Sequence, residues 1–267
     1  MSEITVTTPL PRSEPKRAAL GDWSTMVGRS LRLTSRTPDA MITALILPVL
    51  LMLLFVYLFG GAIHTGTAYV TYVVPGILVL SAGFGSALTI VSVALDMTRG
   101  IVDRFRSMDV GGGPVLAGHV VASLARNAAS MVLVLGVAYL IGFRAHAGAA
   151  GWLGAAGILL LFILAISWLA AAIGLLAKSA EAASGYTFFL MFLPYPSSAF
   201  VPISTMPGWL HGFARDQPVT PVIECVRGLL LGSPVGAGVW LLALTWCSGI
   251  ILASITLAAV LFRRRTA

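Results

Sequence analysis

The stretch Ala172-Ile-Gly-Leu-Leu-Ala-Lys178-Ser179 comes nearest, in this chain of 267 residues, to a segment that handles phosphate. A phosphate-binding loop reads GxxxxGK[ST], because its two glycines let backbone N–H groups turn toward the phosphate oxygens. Both of those positions are alanine here, Ala172 and Ala177, so the cradle is missing. No other segment supplies one, and the chain is not expected to hydrolyse ATP: any ATP-driven work needs a second polypeptide. There is no HExxH or GxSxG signature, and His64, His119, His146 and His211 are scattered. Cys225 and Cys247 fall in or beside apolar sequence, with no CxxC and no histidine at ligand spacing. Neither a catalytic site, nor a metal site, nor a cofactor held by this chain is indicated.

Charge inside apolar sequence is the other place where chemistry could hide. Proton-coupled carriers commonly use carboxylates near the middle of a span. Here Asp96 and Glu224 lie near the ends of apolar runs, which disfavours ion-coupled transport. Arg126 is the charge that falls inside a run, about two turns from its start. It is expected to snorkel to the near interface, with a substrate or gating role as the alternative.

The elements that carry these residues follow from composition. At 58% hydrophobic and 10% charged, the chain holds more apolar surface than one water-soluble core could hide, so lipid is its natural solvent. The net charge of +7 does not point to nucleic acid, because Lys and Arg sit at the ends of apolar runs rather than on one aromatic-laced surface. Residues 1–20 carry Pro9, Pro11 and Pro15 with Arg12, Lys16 and Arg17 and have no apolar core, so no cleavable signal peptide is expected.

A helix needs about 20 apolar residues to cross the hydrocarbon. Six stretches qualify, near 41–63, 73–96, 118–142, 152–177, 183–203 and 236–261. They must be helices, because backbone in lipid has to pair its polar groups within the segment. Orientation follows from Lys and Arg, which accumulate on the cytoplasmic side. One side holds Arg12, Lys16, Arg17, Arg29, Arg32, Arg36, Arg99, Arg104, Arg106, Lys178, Arg263, Arg264 and Arg265, and the other only Arg144, Arg215 and Arg227. Both termini are therefore expected in the cytoplasm.

Ahead of the first span, Leu20, Trp23, Val27 and Leu31 recur at helical spacing, which predicts an interfacial helix over 20–37 behind a flexible segment 1–19. A plain amphipathic anchor accounts for it. Thr37-Pro38 supplies a cap and a first-turn proline, so a new helix should begin there.

Two further segments are unusual. In Asp96-Met-Thr-Arg-Gly-Ile-Val-Asp-Arg-Phe-Arg-Ser-Met-Asp109, alternating charges surround Ile101, Val102, Phe105 and Met108, spaced to form one apolar stripe of a short helix. Such a helix could seat its stripe in a groove of a cytoplasmic partner while Arg99, Arg104 and Arg106 pair at the rim. A solvated positive-inside loop is the alternative. In 192–210, Pro194, Pro196, Pro202 and Pro207 interrupt an apolar run. Each removes a backbone donor and crowds the preceding turn, so broken or re-entrant helical pieces are expected, or else a kinked span followed by a loop. Trp209 and His211 then sit where interfacial anchors belong. Small residues in Ser81–Ser86 and Ala170–Gly174 allow helices to approach closely, in a bundle or at a dimer seam.

With these residues in view, the chain resembles the ABC-2 type permease family, particularly its daunorubicin/doxorubicin resistance-like membrane subunits from actinobacteria. The resemblance runs along nearly the whole chain. It is carried by Gly100-Ile-Val-Asp-Arg-Phe-Arg-Ser107, Phe200-Val-Pro202, Met206-Pro-Gly-Trp-Leu210 and Gln217-Pro-Val-Thr-Pro-Val-Ile-Glu-Cys-Val-Arg-Gly228. It implies an all-α membrane fold of six transmembrane helices over 38–267, with 20–37 as a connecting helix and 97–109 as a coupling helix docked on a separate ATP-binding-cassette ATPase. Arg99, Gly100, Asp103, Arg104, Phe105 and Arg106 would then be the coupling residues. Pro194, Pro196, Phe200, Pro202, Met206, Pro207, Trp209, Pro218, Glu224 and Arg227 would belong to an extracellular re-entrant hairpin.

The resemblance also implies two permease subunits, identical or paralogous, with two ATPase subunits that hold ATP and Mg, in a bacterial cell membrane. The substrates implied are drugs, lipids or glycan-linked lipids. After Ser107 the family usually continues with a proline and a basic residue, whereas this chain reads Met108-Asp-Val-Gly-Gly-Gly113, which predicts a more flexible loop. The expected function is the permease subunit of an ATP-driven exporter of hydrophobic drug-like or lipid-like molecules. A membrane scaffold or secondary carrier without an ATPase is the alternative, and a membrane-embedded enzyme would need a clustered polar site that the sequence does not display.

Overall fold

Proline has no N–H to lose in a first helical turn, and α1 (Pro38–Leu54) opens on Pro38 as expected. A second proline, Pro48, lies inside it, and past Leu54 the chain widens into a π-helical turn, Phe55–Phe59, before leaving the helix at Gly60. Then follow α2 (Tyr69–Thr98), α3 (Gly112–Leu140), α4 (Ala149–Leu176) and α5 (Ala180–Phe192). Turns over 193–200 and two 3-10 turns, Ile203–Thr205 and Gly208–Leu210, lead into α6 (His211–Asp216), α7 (Val219–Leu231) and α8 (Ala237–Thr266). The computed structural model describes Gly28, residues 38–98 and residues 112–266, and no strand occurs among them. The segment 1–19, the connecting helix 20–37 apart from Gly28, and the coupling residues Arg99, Gly100, Asp103, Arg104, Phe105 and Arg106 lie outside the described residues.

A helix that is apolar all round can only be central, and α2 is the hub. Every residue from Val73 to Ala87 is buried, and α1, α3, α4, α5 and α7 all pack on this helix. Small residues set how closely they come. A methyl group added at Gly174 of α4 would lie 2.8 Å from the Ile90 carbonyl oxygen and 2.9 Å from Val93 Cβ. By contrast, α8 turns Leu241, Leu244, Leu252, Ile255, Leu257 and Val260 outward. Apolar side chains on an outer face are at home in hydrocarbon.

Among the described residues, four helices are long and apolar enough to cross a membrane: Tyr69–Thr98, Gly113–Leu140, Ala149–Leu176 and Ala237–Phe262. They carry the expected spans 73–96, 118–142, 152–177 and 236–261, with the third starting earlier than expected. The expected span 41–63 is α1 plus its π-turn, and it stops at Phe59 rather than 63. The expected span 183–203 is not one helix. Its helical part, α5, has 13 residues, which at 1.5 Å per residue is about 20 Å against roughly 30 Å of hydrocarbon. The prolines end it, and turns carry the chain from there.

Of the segment 108–113 expected to be a flexible loop, residues 108–111 lie outside the described residues and the last two are helical. Gly112 and Gly113 form the first turn of α3. Pro114 follows in that same turn, where a missing N–H has no helical partner to lose.

Candidate functional site

Backbone that leaves the helix inside an apolar bundle must find partners for its N–H and C=O groups. The turn over 193–200 finds them on α2 and on the stretch leading into α7. The Tyr69 hydroxyl donates to the Phe200 carbonyl at 3.0 Å, and the Tyr72 hydroxyl to the Ser198 carbonyl at 2.9 Å. The Ser198 N–H reaches Thr220 Oγ1 at 3.2 Å, and that hydroxyl in turn donates to the Ala214 carbonyl at 2.5 Å. Gln217 Nε2 donates to the Pro196 carbonyl at 3.3 Å. Within the turn, the Ser197 hydroxyl donates to the Pro194 carbonyl and accepts from the Ala199 N–H.

Arg227 on α7 closes the arrangement. Its guanidinium lies over the Tyr72 ring, 4.0 Å from the centroid. Nη1 meets Glu224 Oε1 at 2.5 Å, and Nη2 donates to the Ser198 carbonyl at 2.8 Å and the Tyr72 carbonyl at 3.2 Å. The Ser198 hydroxyl donates to the same Glu224 oxygen at 2.6 Å. One arginine thereby ties α2, the proline-broken turn and α7 together, using the planar fork that lysine lacks. Beside it opens a cavity of about 410 Å³, bordered by Thr65, Thr67, Ser198, Ile203, Glu224 and Leu231 among others.

Of the residues expected in the re-entrant segment, Pro202, Glu224 and Arg227 border this cavity. Phe200 is buried close by, stacked between Phe55 at 4.2 Å and Tyr195 at 5.4 Å, so the π-turn after α1 also packs on the broken turn. Pro194 and Pro196 lie in the turns, and Pro218 precedes α7. Met206, Pro207 and Trp209 stand apart: the Met206 carbonyl accepts from His211 at 2.8 Å, Pro207 precedes the second 3-10 turn, and Trp209 is 83% exposed.

Arg126 departs from expectation. It does not snorkel: it is buried between α3 and α2, with Nε and Nη2 donating to the Gly85 carbonyl at 3.0 and 2.8 Å and Nη2 also to Thr89 Oγ1 at 3.1 Å. These acceptors stand in for the water it would reach by snorkelling. Beside it, Gly85 leaves a gap against α3 that Asn127 fills. Around it Ser86, Ser123 and Ser167 join α2, α3 and α4, with Ser167 to Ser123 at 2.8 Å and Ser86 to Ser167 at 3.2 Å. Further along, His119 Nε2 meets Asp96 Oδ2 at 3.1 Å, both buried. Sequence reasoning missed this seam, although His119, Ser123 and Asn127 recur every four residues on α3 and so share one helix face.

The Lys178-Ser179 decoy also has a structural account. Ala172 is buried inside α4, and the helix ends just before Ala177. Ser179 caps α5, its hydroxyl accepting from the Ala182 N–H at 3.2 Å.

These features define a multi-pass helical membrane protein in which the described buried polar groups chiefly bond one helix to another. The model of the ABC-2 type transporter family matches residues 22–231, and the chain belongs to that family. It is 30% identical over 258 residues to the daunorubicin resistance ABC transporter permease protein DrrB1 of Streptomyces coeruleorubidus, covering 95% of this chain and 90% of that one. It is 24% identical over 238 residues to the probable doxorubicin resistance ABC transporter permease protein DrrC of Mycobacterium tuberculosis, covering 88% of this chain and 86% of that one. The chain is a transmembrane permease subunit, and its family implies an ATP-binding-cassette ATPase as partner.

Proposed function

We propose that this chain moves a hydrophobic drug-like or lipid-like molecule out of a bacterial cell, as one of two permease subunits driven by two separate ATPase subunits that hold ATP and Mg. The observation that carries the reading is the unbroken path of α2. Its Tyr69 end is bonded to the proline-broken turn and α7, its middle to the Arg126 seam, and its Thr98 end runs straight into the charged segment 99–109. A buried 30-residue helix is stiff, so a push on its Thr98 end is felt at the turn.

Charge supports an orientation with both termini in the cytoplasm. Val93, Leu116, Leu175 and Ala258 pack together, which puts the Thr98, Gly112, Leu176 and Thr266 ends on one side with Lys178 and Arg264. Arg144, Arg215 and Arg227 belong to the other side, beyond the opposite helix ends. On this reading 20–37 is the connecting helix and 97–109 the coupling helix, with Arg99, Gly100, Asp103, Arg104, Phe105 and Arg106 gripping the ATPase. The segment from Pro194 to Arg227 is the outer re-entrant hairpin. The other permease is a copy or a paralogue. The names of the relatives, which concern daunorubicin and doxorubicin, support a drug-like substrate.

The test is Arg104→Glu with Arg106→Glu, scored by ATPase co-purification in mild detergent and by export from cells. Loss of both is expected. Full retention of both would remove the coupling role, and a chain that exports with no ATPase present would be a secondary carrier.

A further inference from the structure

Polar contacts pin α2 to α3 at two depths. Near the Thr98 end, Asp96 Oδ2 meets His119 Nε2 at 3.1 Å, with both side chains buried. Seven residues further along α3, about 10 Å at 1.5 Å per residue, Arg126 donates to the Gly85 carbonyl and to Thr89 Oγ1. Beside this second contact, Ser167 of α4 joins Ser86 and Ser123. Toward the Thr98 end, α4 and α8 meet the same two helices in an apolar cluster, with Ala171, Ala172, Leu175 and Ala258 around Val93 and Leu116. Hydrogen bonds fix direction as well as distance, whereas apolar contacts are non-directional and let packed helices slide.

Stability does not account for the Asp96–His119 pair. Asp96 lies in the last turn of α2, where the helix dipole disfavours a carboxylate. A buried polar pair also gives up hydration that an apolar pair of the same shape would not, so its net contribution is small. We propose that Asp96 and His119 are positioning residues for ATP-driven export: their bond makes α2 and α3 one rigid hairpin, which rocks against α4 about the contact of Ser86, Ser123 and Ser167. The two helices flank residues 99–111 in sequence, so a hairpin locked at this level takes up a push on either stem as one body. It carries the push to Tyr69 and Tyr72, which hold the proline-broken turn. The lever rests on the exporter reading and deepens it by naming the residues that hold its base.

The experiment uses the full chain assembled with its ATPase in nanodiscs, each complex holding one spin-labelled copy. The labels sit on cysteines placed at Ala68, beside the Tyr69 end of α2, and at Ala149, the first residue of α4; both positions are exposed, while Cys225 and Cys247 are buried. Double electron–electron resonance reads the distance between the labels with and without ATP and vanadate, and the wild-type distance should shift on trapping. Asp96→Leu with His119→Phe fills the space without the bond. It should melt close to wild type and hydrolyse ATP at a similar rate, yet lose more than half of the shift. The swap Asp96→His with His119→Asp should restore the shift, and Asp96→Ala replaces the apolar pair if that variant fails to fold. A full shift in the bond-free variant, a swap no better than that variant, or no shift in a wild-type complex that hydrolyses ATP overturns the lever and leaves the exporter reading standing. A wild-type chain that assembles with no ATPase removes the exporter reading and the lever with it.

Discussion

Replacing Gly76 by alanine puts a methyl group where α2 touches the proline-broken turn. That methyl carbon would lie 2.5 Å from the Ala199 carbonyl oxygen and 2.7 Å from Ala199 Cα. Both are backbone atoms of a turn already held by Tyr69, Tyr72 and Thr220, so no flexible side chain can swing away. Overpacking of this kind costs about 1–3 kcal/mol, and the gain from alanine over glycine in a helix returns only ~0.5–1 kcal/mol. Displacing the turn also weakens the Tyr69–Phe200 and Tyr72–Ser198 hydrogen bonds, worth about 1 kcal/mol each. The net loss is roughly 2–4 kcal/mol, a fall in thermal midpoint on the order of 5–10 °C for a chain of this size. Gly136 on α3 is the matched control, because nothing lies within 4 Å of a methyl added there, and its alanine variant should be slightly stabilised. Thermal midpoints of the two variants, read by fluorescence-detected size exclusion in one detergent, decide the matter. If Gly76→Ala melts at or above the midpoint of Gly136→Ala, the claimed contact between α2 and the turn is wrong.

Other expectations follow from the same geometry. Arg227→Lys keeps the charge but cannot meet Glu224, Ser198 and Tyr72 at once, so in detergent the turns between 193 and 218 should become sensitive to protease; an unchanged digestion pattern would contradict the arginine's tying role. Arg126→Met removes a buried cation whose hydrogen-bond partners, the Gly85 carbonyl and Thr89, are neutral, so lost hydrogen bonds and recovered desolvation should offset to within about 2 kcal/mol, and a much larger drop in thermal midpoint would show that the guanidinium holds the seam. Burial, and secondarily the Glu224 carboxylate, pushes the Cys225 thiol up to about 11. The neutral thiol therefore dominates at every pH below that value, and a membrane-impermeant maleimide should leave Cys225 unlabelled at pH 7.5 until the protein is denatured; rapid labelling of the folded chain would place the residue elsewhere.

How much of this was legible beforehand divides along physical lines. Four spans could be read because a stretch such as 152–177 is apolar on every face and too long for anything but a buried or membrane helix. The end of α5 was legible in kind, since Pro194 and Pro196 forbid a continuous ladder, but not in position. The path of the turn beyond it depends on which neighbours pair its carbonyls, and for Phe200 and Ser198 those neighbours are Tyr69 and Tyr72, more than a hundred residues away in sequence. The same holds for the site. Glu224 and Arg227 could be singled out from a motif, whereas their bonds to Ser198 and Tyr72 depend on a meeting of α2, turn and α7 that no local pattern encodes. Arg126 was misjudged for a related reason. Snorkelling is the default for a lone arginine near a span end, and the default lost to acceptors on another helix, the Gly85 carbonyl and the Thr89 hydroxyl.

Composition, charge placement and proline positions thus determined by themselves that this is a helical membrane protein without its own phosphate-binding loop, because solvent preference and backbone donors are properties of residues taken singly. Tertiary structure alone decided which polar groups pair, where Arg126 points and that the Glu224–Arg227 pair borders a cavity. Hydrogen bonds and cavities belong to pairs of surfaces, and such pairs exist only once distant helices have packed.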